Sequence, residues 1–470
     1  MSPSFPGSPD KTRDTLLPKL VPKPWIPANA PPLILRDTLV VDPANSVILD
    51  GRYDITMEGG LITSVCPTDE KKTLTSTYAP EELESPPVVV NVSGKFICPG
   101  LIDCHVHVSA VPGVKTMSEL VQTPEELVHL RSTYVLREML MRGFTTVRDT
   151  GGASKALATA ISEGLITGPR LIQCGKALSQ TGGHADFGPT KSGDSGCCGG
   201  HSQSLGRTCD GVPQVLKATR EELKGGADFI KVMCGGGVAS PTDAIETVQF
   251  TAEEIRAVTT TCTQMGNKHT TAHAYTDASV LHAIQNGVRG IEHGNLVSRD
   301  TAKLLTPHTV QSMAEKGIFL TPTLACYGIM VRPPFEDFLP PEGKVKNEQV
   351  MARGLDALKI ADEEGVTICY GSDLLTSMHA LQTEEFTVRS SVLSSPKVLQ
   401  HATTNAARML GDSKLGRIAV GCYADLLILD ANPLVDVTVL DYPEKHLFAV
   451  IQGGRVVSSR LYGLPEEKRR

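Results

Sequence analysis

Between about residues 100 and 410, short apolar runs alternate with helix-like segments, and this rhythm restricts the fold more than any other feature of the chain. The strand candidates are FTTVRD, RLIQCG, DFIKVM, HTTAHAY, GIEHG, IFLTPTL and VTICYGSD, preceded by the apolar FICPGLIDCHVHV. Helical segments lie between them. TPEELVHLRSTYVLREMLMRG opens on Thr123 with Glu126 three residues on, a capping-box pattern, and TAEEIRAVTTTCTQMG and TAKLLTPHTVQSMAEKG read similarly. Strand-then-helix order over this length predicts a parallel α/β sheet, in its simplest form a (β/α)8 TIM barrel, with a doubly wound open sheet as the alternative. The 43 glycines and only 4% aromatic residues fit a chain of many tight turns.

The flanks read differently. Residues 1–32 carry nine prolines, which resist helix and central strand, so an irregular arm is expected there. Residues 33–98 hold short β-type runs (LILRDTLVVD, SVILDGRYDITMEGG, LITSVCP) and 411–460 return to β with GRIAVGCYADLLILD and LFAVIQGGRVVSS. The two stretches are expected to build one small β-sandwich domain from both chain ends, beside a barrel over 99–410. The Gly-Gly pair between Ile451 and Val457 predicts a hairpin. Residues 461–470 read as a charged tail.

A net charge of −7 gives no reason to expect a nucleic-acid partner. The first 20 residues lack the apolar core of a signal peptide, and no run of about 18 apolar residues predicts a membrane span, so the expected location is cytoplasmic. The 12 cysteines are scattered, as reduced thiols are, except for Cys197-Cys198 and Cys209 in a Gly/Ser-rich stretch over 193–211.

The residues able to do chemistry fall where strands should end. His105 and His107 in DCHVHV are two apart, so on a strand both imidazoles project to one face, as a metal requires. Lys231 sits inside the apolar FIKVM, where a charged amine is costly unless paired or neutralised. His273 lies near the end of HTTAHAY, His293 in GIEHG, and Asp373 in YGSD. Each alone has a structural explanation, an ion pair or a helix cap. Together they place metal-capable and base-capable groups at the ends of successive strands, where barrel enzymes carry their active sites.

PGLIDCHVHV, GFTTVRDTGG, the TGGH at Thr181–His184, IKVMCGGG, TAHAY, GIEHG, GSD, and TTNAARMLG followed by GCYADLLILDANPL occur in one order. This constellation, from Leu33 to Val457, resembles the amidohydrolase superfamily. Within it the chain is most similar to the imidazolonepropionase-like and zinc-dependent Xaa-Pro dipeptidase (prolidase) group, which includes fungal ochratoxinase.

The resemblance implies a hydrolase of amide C–N bonds. It implies that His105 and His107 hold one divalent metal with Asp373, that His273 and His293 hold a second, and that Lys231 bridges the two as a carbamate formed with CO2. Zinc suits an imidazole-rich set. Asp373 would carry the proton from the attacking water to the leaving nitrogen, and His184 would stabilise the oxyanion or contact the substrate. Tyr275, two residues past His273, would bind a substrate carboxylate. Arg148 would supply an opposing charge or form an internal salt bridge, and His379 would line the site. The expected substrate is a dipeptide-like or N-acyl amino acid. A non-peptide or cyclic amide, ochratoxin-like or imidazolone-like, is the alternative, and a non-catalytic relative on the same fold is a third reading. A homo-oligomer is expected.

Overall fold

A computed structural model describes residues 23–26, 30–69, 86–187, 205–240, 243–306, 317–464 and 466. Most of the proline-rich arm and of the 193–211 stretch, with Cys197 and Cys198, lies outside the described residues.

The chain is mixed α/β. Two parallel sheets form the central layer. One runs in the order Gly206–Thr208, Ala177–Ser179, Phe229–Met233, His269–Ala274, Gly290–His293, Phe319–Thr321, Thr367–Ile368. The other holds Leu101–Val106, Phe144–Asp149 and Arg170–Gln173. Backbone hydrogen bonds link the two at both ends. Asp228 N donates to Gln173 O (2.8 Å) at one end, and Cys104 N to Tyr370 O (2.8 Å) and Asp373 N to His105 O (2.9 Å) at the other.

Strand periodicity decides what the sheet buries where. Ile230 and Val232 are fully buried in the apolar core, whereas Lys231 between them faces the opposite side. Ala272 and Ala274 alternate with His273 in the same way, and Ile291 precedes inward-facing Glu292. Each buried aliphatic side chain contributes about 1.5–3 kcal/mol, so the outer face of the sheet stabilises the frame that holds the polar inner face.

The helices follow mostly from their start signals. Thr251 and Glu254 form a reciprocal capping box at the start of Ala252–Gln264, as the sequence predicts. Thr123 is a correction: it ends the short helix Met117–Gln122, its hydroxyl donating to Glu119 O, and Pro124 begins Glu125–Met141. In TAKLL the cap is Ser298, whose hydroxyl accepts from Thr301 N.

Strands from both ends of the chain share one nine-stranded sheet. Its main path runs Arg455–Ser459, Leu447–Gln452, Leu426–Leu429, Phe96–Pro99, Leu33–Asp42, Tyr53–Glu58, Leu61–Pro67. Ile97 pairs with Ile428, and Leu35, Ile55, Ile62, Ile97, Leu426 and Ile451 form its own apolar cluster. The expected hairpin is present: Gly453 and Gly454 turn at φ 56° and 73° between paired Gln452 and Arg455. Among the described residues all cysteines are free, and no helix is long and apolar enough to cross a membrane.

Candidate active site

The strands that carry the histidines end at one cavity, lined by His105, His107, His273, His293, Lys231 and Asp373, together with His184 and Tyr275. Its volume is about 60 Å³. A larger groove of about 660 Å³ lies elsewhere, around Arg142, Asp441 and Arg460, and no histidine lines it. The chemistry therefore selects the smaller space.

His105 and His107 project to one side, with ring centroids 5.3 Å apart. Both Nε2 atoms lie 3.3 Å from Asp373 Oδ1. The ligand atoms of these three residues all fall within 4.8 Å of one another. Gly371 makes the approach possible, because a Cβ at that position would come within 2.9 Å of His105 Cβ. Asp373 and His293 both adopt left-handed backbone, at φ 50° and 76°. For non-glycine residues this costs about 1–3 kcal/mol and recurs at functional sites.

A partner behind each ring fixes its orientation. His105 Nδ1 meets Glu292 Oε2 at 2.8 Å, His107 Nδ1 meets Gly151 O at 3.0 Å, and His273 Nε2 meets Gly236 O at 2.9 Å. His293 Nδ1 meets Thr323 Oγ1 at 2.8 Å. A carbonyl or carboxylate can only accept, so His105, His107 and His273 each carry a proton on that nitrogen, and the other nitrogen is the one a metal would use. Holding the ring from behind in this way is how proteins orient metal-binding imidazoles.

The charges inside are strongly coupled. Burial opposes ionisation of Asp373, but the charge on His105 and the hydrogen bonds from His105 and His107 outweigh it and hold the carboxyl well below its usual range. For His105, burial is likewise outweighed by Asp373, and the ring is shifted up. His273 and His293 are pushed well below the usual histidine range, chiefly by burial. Burial also lowers Lys231, against the pull of Glu292 and Asp373, and so favours its neutral amine. His184 is pushed down to about 4, mainly by burial; its ring stacks on His273 at 4.1 Å between centroids.

Two expected residues lie elsewhere. Arg148 does not line the cavity: its guanidinium donates to Glu292 Oε1 (2.8 Å) and Cys104 O (2.7 Å) and lies over the Phe229 ring. With its donors so engaged and only 1% of it exposed, it holds Glu292 in place and is not a substrate contact. His379 likewise turns away, its Nε2 on Ala110 O at 3.0 Å.

Several residues were not singled out by the sequence. Glu292 links His105, Arg148 and Thr271. The signal was available, since a carboxylate beside His293 in a fully buried strand must have a partner. Tyr327 OH lies 2.8 Å from Tyr275 OH and 3.3 Å from His293 Nδ1. Ser240 Oγ lies 2.8 Å from His184 Nδ1.

Parallel strands delivering imidazoles and a buried lysine, with an aspartate, to one cavity form the arrangement in which α/β barrel enzymes hold divalent cations. Residues 96–458 match the Amidohydrolase family, and the chain belongs to it. The family generally uses divalent metals, and the His105–His107–Asp373 cluster fits that use.

Ochratoxinase of Aspergillus niger is 30% identical over 371 residues, 77% of this chain and 75% of the relative. A prolidase solved in complex with N-methylphosphonate-L-proline superposes with a TM-score of 0.82 and 39% identity, over 91% of this chain and all of that one. A Xaa-Pro dipeptidase with methionine bound in its active site gives 0.75 and 26%, over 90% and 99%. These neighbours imply a TIM-barrel-type fold, and with the family they make the chain a hydrolase acting on carbon–nitrogen bonds.

Proposed function

We propose that the chain is a metal-dependent amide hydrolase whose substrate is a dipeptide or an N-acyl amino acid. The observation that carries this reading is the position of Asp373 Oδ1, 3.3 Å from both His105 and His107 Nε2, in a cavity shared with His273, His293 and Lys231. The reading also closes the parallel strands into an eight-stranded barrel over 99–410, with 33–98 and 411–460 as the companion β-sandwich domain.

The donor set suits two cations. His105, His107 and Asp373 would hold one, and His273 and His293 the other. Lys231, whose burial favours the neutral amine that combines with CO2, would span both as a carbamate. Imidazole donors favour zinc over magnesium or calcium. Bound divalent ions acidify water and polarise a carbonyl.

The protein's own groups do the rest. Asp373, ionised and aimed into the cavity, accepts the proton of the attacking water and passes it to the leaving nitrogen. Tyr275, its hydroxyl tied to Tyr327, offers a neutral donor to the substrate carboxylate. Met117, Phe187, Leu205 and Met330 form an apolar wall for the substrate side chain. A dipeptide exceeds the present space, and methionines are the side chains best able to repack around it.

Exhaustive chelation is expected to abolish hydrolysis across a panel of dipeptides and N-acyl amino acids, and zinc to restore it. Full activity in metal-free protein would end this reading. Hydrolysis of a non-peptide amide is a second reading, favoured by the likeness to ochratoxinase. Simple and cyclic amides without a free carboxylate, added to the same panel, separate the two, since only the second reading expects them to be hydrolysed.

Glu292→Gln should weaken metal binding about 10- to 100-fold, because the partner behind His105 loses its charge. Competition against a chromophoric chelator measures this, and an unchanged affinity removes Glu292 from the metal-supporting role.

A further inference from the structure

His184 stands on a chain of buried polar groups that the mechanism above leaves unused. Its Nδ1 lies 2.8 Å from Ser240 Oγ. The same hydroxyl makes a short hydrogen bond to Asp243 Oδ1. Asp243 Oδ2 accepts from Gly237 N (3.0 Å) and Gln249 Nε2 (2.9 Å). The other end of the Gln249 amide accepts from His184 N at 3.0 Å. Lys346 Nζ donates to Gly237 O (3.1 Å) and Ser240 O (2.8 Å), and stands 3.7 Å from Asp243 Oδ1. Ser240 and Asp243 are 1% and 5% exposed. Gly237 completes the seat: a Cβ there would fall 1.9 Å from His184 Nδ1, so only glycine lets the ring lie flat against this backbone.

The direction of these bonds follows from the proton count. Asp243 takes donors on both oxygens and has none to give. Ser240 has one hydroxyl proton, and its short bond to the carboxylate uses it. The serine oxygen then faces Nδ1 with lone pairs, so the imidazole proton sits on Nδ1. A neutral imidazole has only that one proton, so Nε2 is left as an acceptor on a ring that lines the cavity.

We propose that Asp243, acting through Ser240, holds His184 in the Nδ1–H form, so that Nε2 accepts a hydrogen bond from a substrate N–H. This deepens the amide-hydrolase reading and rests on it. It gives His184 a recognition role and takes away that of donor to an oxyanion. Ser240 and Asp243 are positioning residues. The N–H comes either from the scissile secondary amide or from the free α-amine of a dipeptide.

Three substrates separate the sources on zinc-loaded enzyme: a dipeptide with a secondary scissile amide, the same compound with its α-amine replaced by hydrogen, and a Xaa-Pro dipeptide, whose scissile nitrogen bears no hydrogen. Ser240→Ala and Asp243→Asn are expected to raise KM about tenfold, the worth of one hydrogen bond of about 1.4 kcal/mol. They should do so only on substrates carrying the recognised N–H, with kcat within about threefold and metal content unchanged. Ser240→Thr, which keeps the hydroxyl, should stay near the parent KM. The substrate on which the loss vanishes identifies the N–H.

Equal losses on all three, or no loss on any, overturn the proposal. If the parent hydrolyses none of them, the amide-hydrolase reading fails first, and the tautomer still decides this one. In ¹⁵N NMR of the holoenzyme, with His184→Gln to assign the signal, the proton should sit on Nδ1 and redistribute in Ser240→Ala. A proton on Nε2 in the parent rules the proposal out.

Discussion

Asp373→Asn is expected to keep nearly all of its metal and to lose turnover by about 10³-fold, within the 10²- to 10⁴-fold range of a positioned proton carrier. Asparagine is the informative substitution here because it removes the basic oxygen and little else. It keeps one oxygen beside the two histidines, and it is among the few side chains that tolerate the left-handed backbone at φ 50°. Alanine at this position would add backbone strain to the chemical change. His105 and His107 outweigh burial and hold the native carboxyl well below its usual range, so it is ionised at neutral pH. Steady-state kinetics with metal analysis on the same preparation makes the measurement. Turnover within tenfold of the parent would remove Asp373 as the proton carrier.

Lys231→Ala is expected to empty the site. Lys231 is the group that would join the two cations, and its side chain is 1% exposed in the middle of a fully buried strand. Removing it should lower metal content sharply and activity by more than about 10³-fold, since the remaining side chains cannot activate water by themselves. The truncated site keeps its anion-seeking environment, so a short carboxylic acid should occupy the space and restore part of both. Metal content and activity should rise together with acid concentration. An alanine variant that keeps its metals and most of its turnover would contradict the bridging role. Lys231→Arg should not substitute, because a guanidinium stays protonated and cannot form the carbamate.

Much of this site could be read from the sequence because its parts sit on strands. Two-residue periodicity alone puts His105 and His107 on one face and turns Lys231 away from Ile230 and Val232. Strand ends in a parallel sheet point the same way, so His273 and His293 converge without knowledge of any loop, whereas Asp373 lies beyond the short strand Thr367–Ile368 and reaches the site through its left-handed backbone. Groups whose meaning depends on a partner far along the chain were harder. Nothing near Arg148 indicates that Glu292 will claim it, and Ser240 gains significance only where His184 packs against Gly237. Local competition also misled: Thr123 satisfies the pattern of a helix start yet closes the helix before it, its hydroxyl taken by Glu119 O, and Pro124 stands at the N-cap of the next.

The placement of Phe96–Pro99 between Leu33–Asp42 and Leu426–Leu429 has a consequence for biosynthesis. While the polypeptide is still being made, the edge that awaits Leu426–Leu429 has no neighbour, and Ile97 waits for Ile428 until the whole catalytic portion has left the ribosome. An exposed strand edge of this kind is a template for unwanted association. A product that stops short of Leu426 would carry that open edge, so the pairing of Ile97 with Ile428 shields a surface that no earlier strand covers.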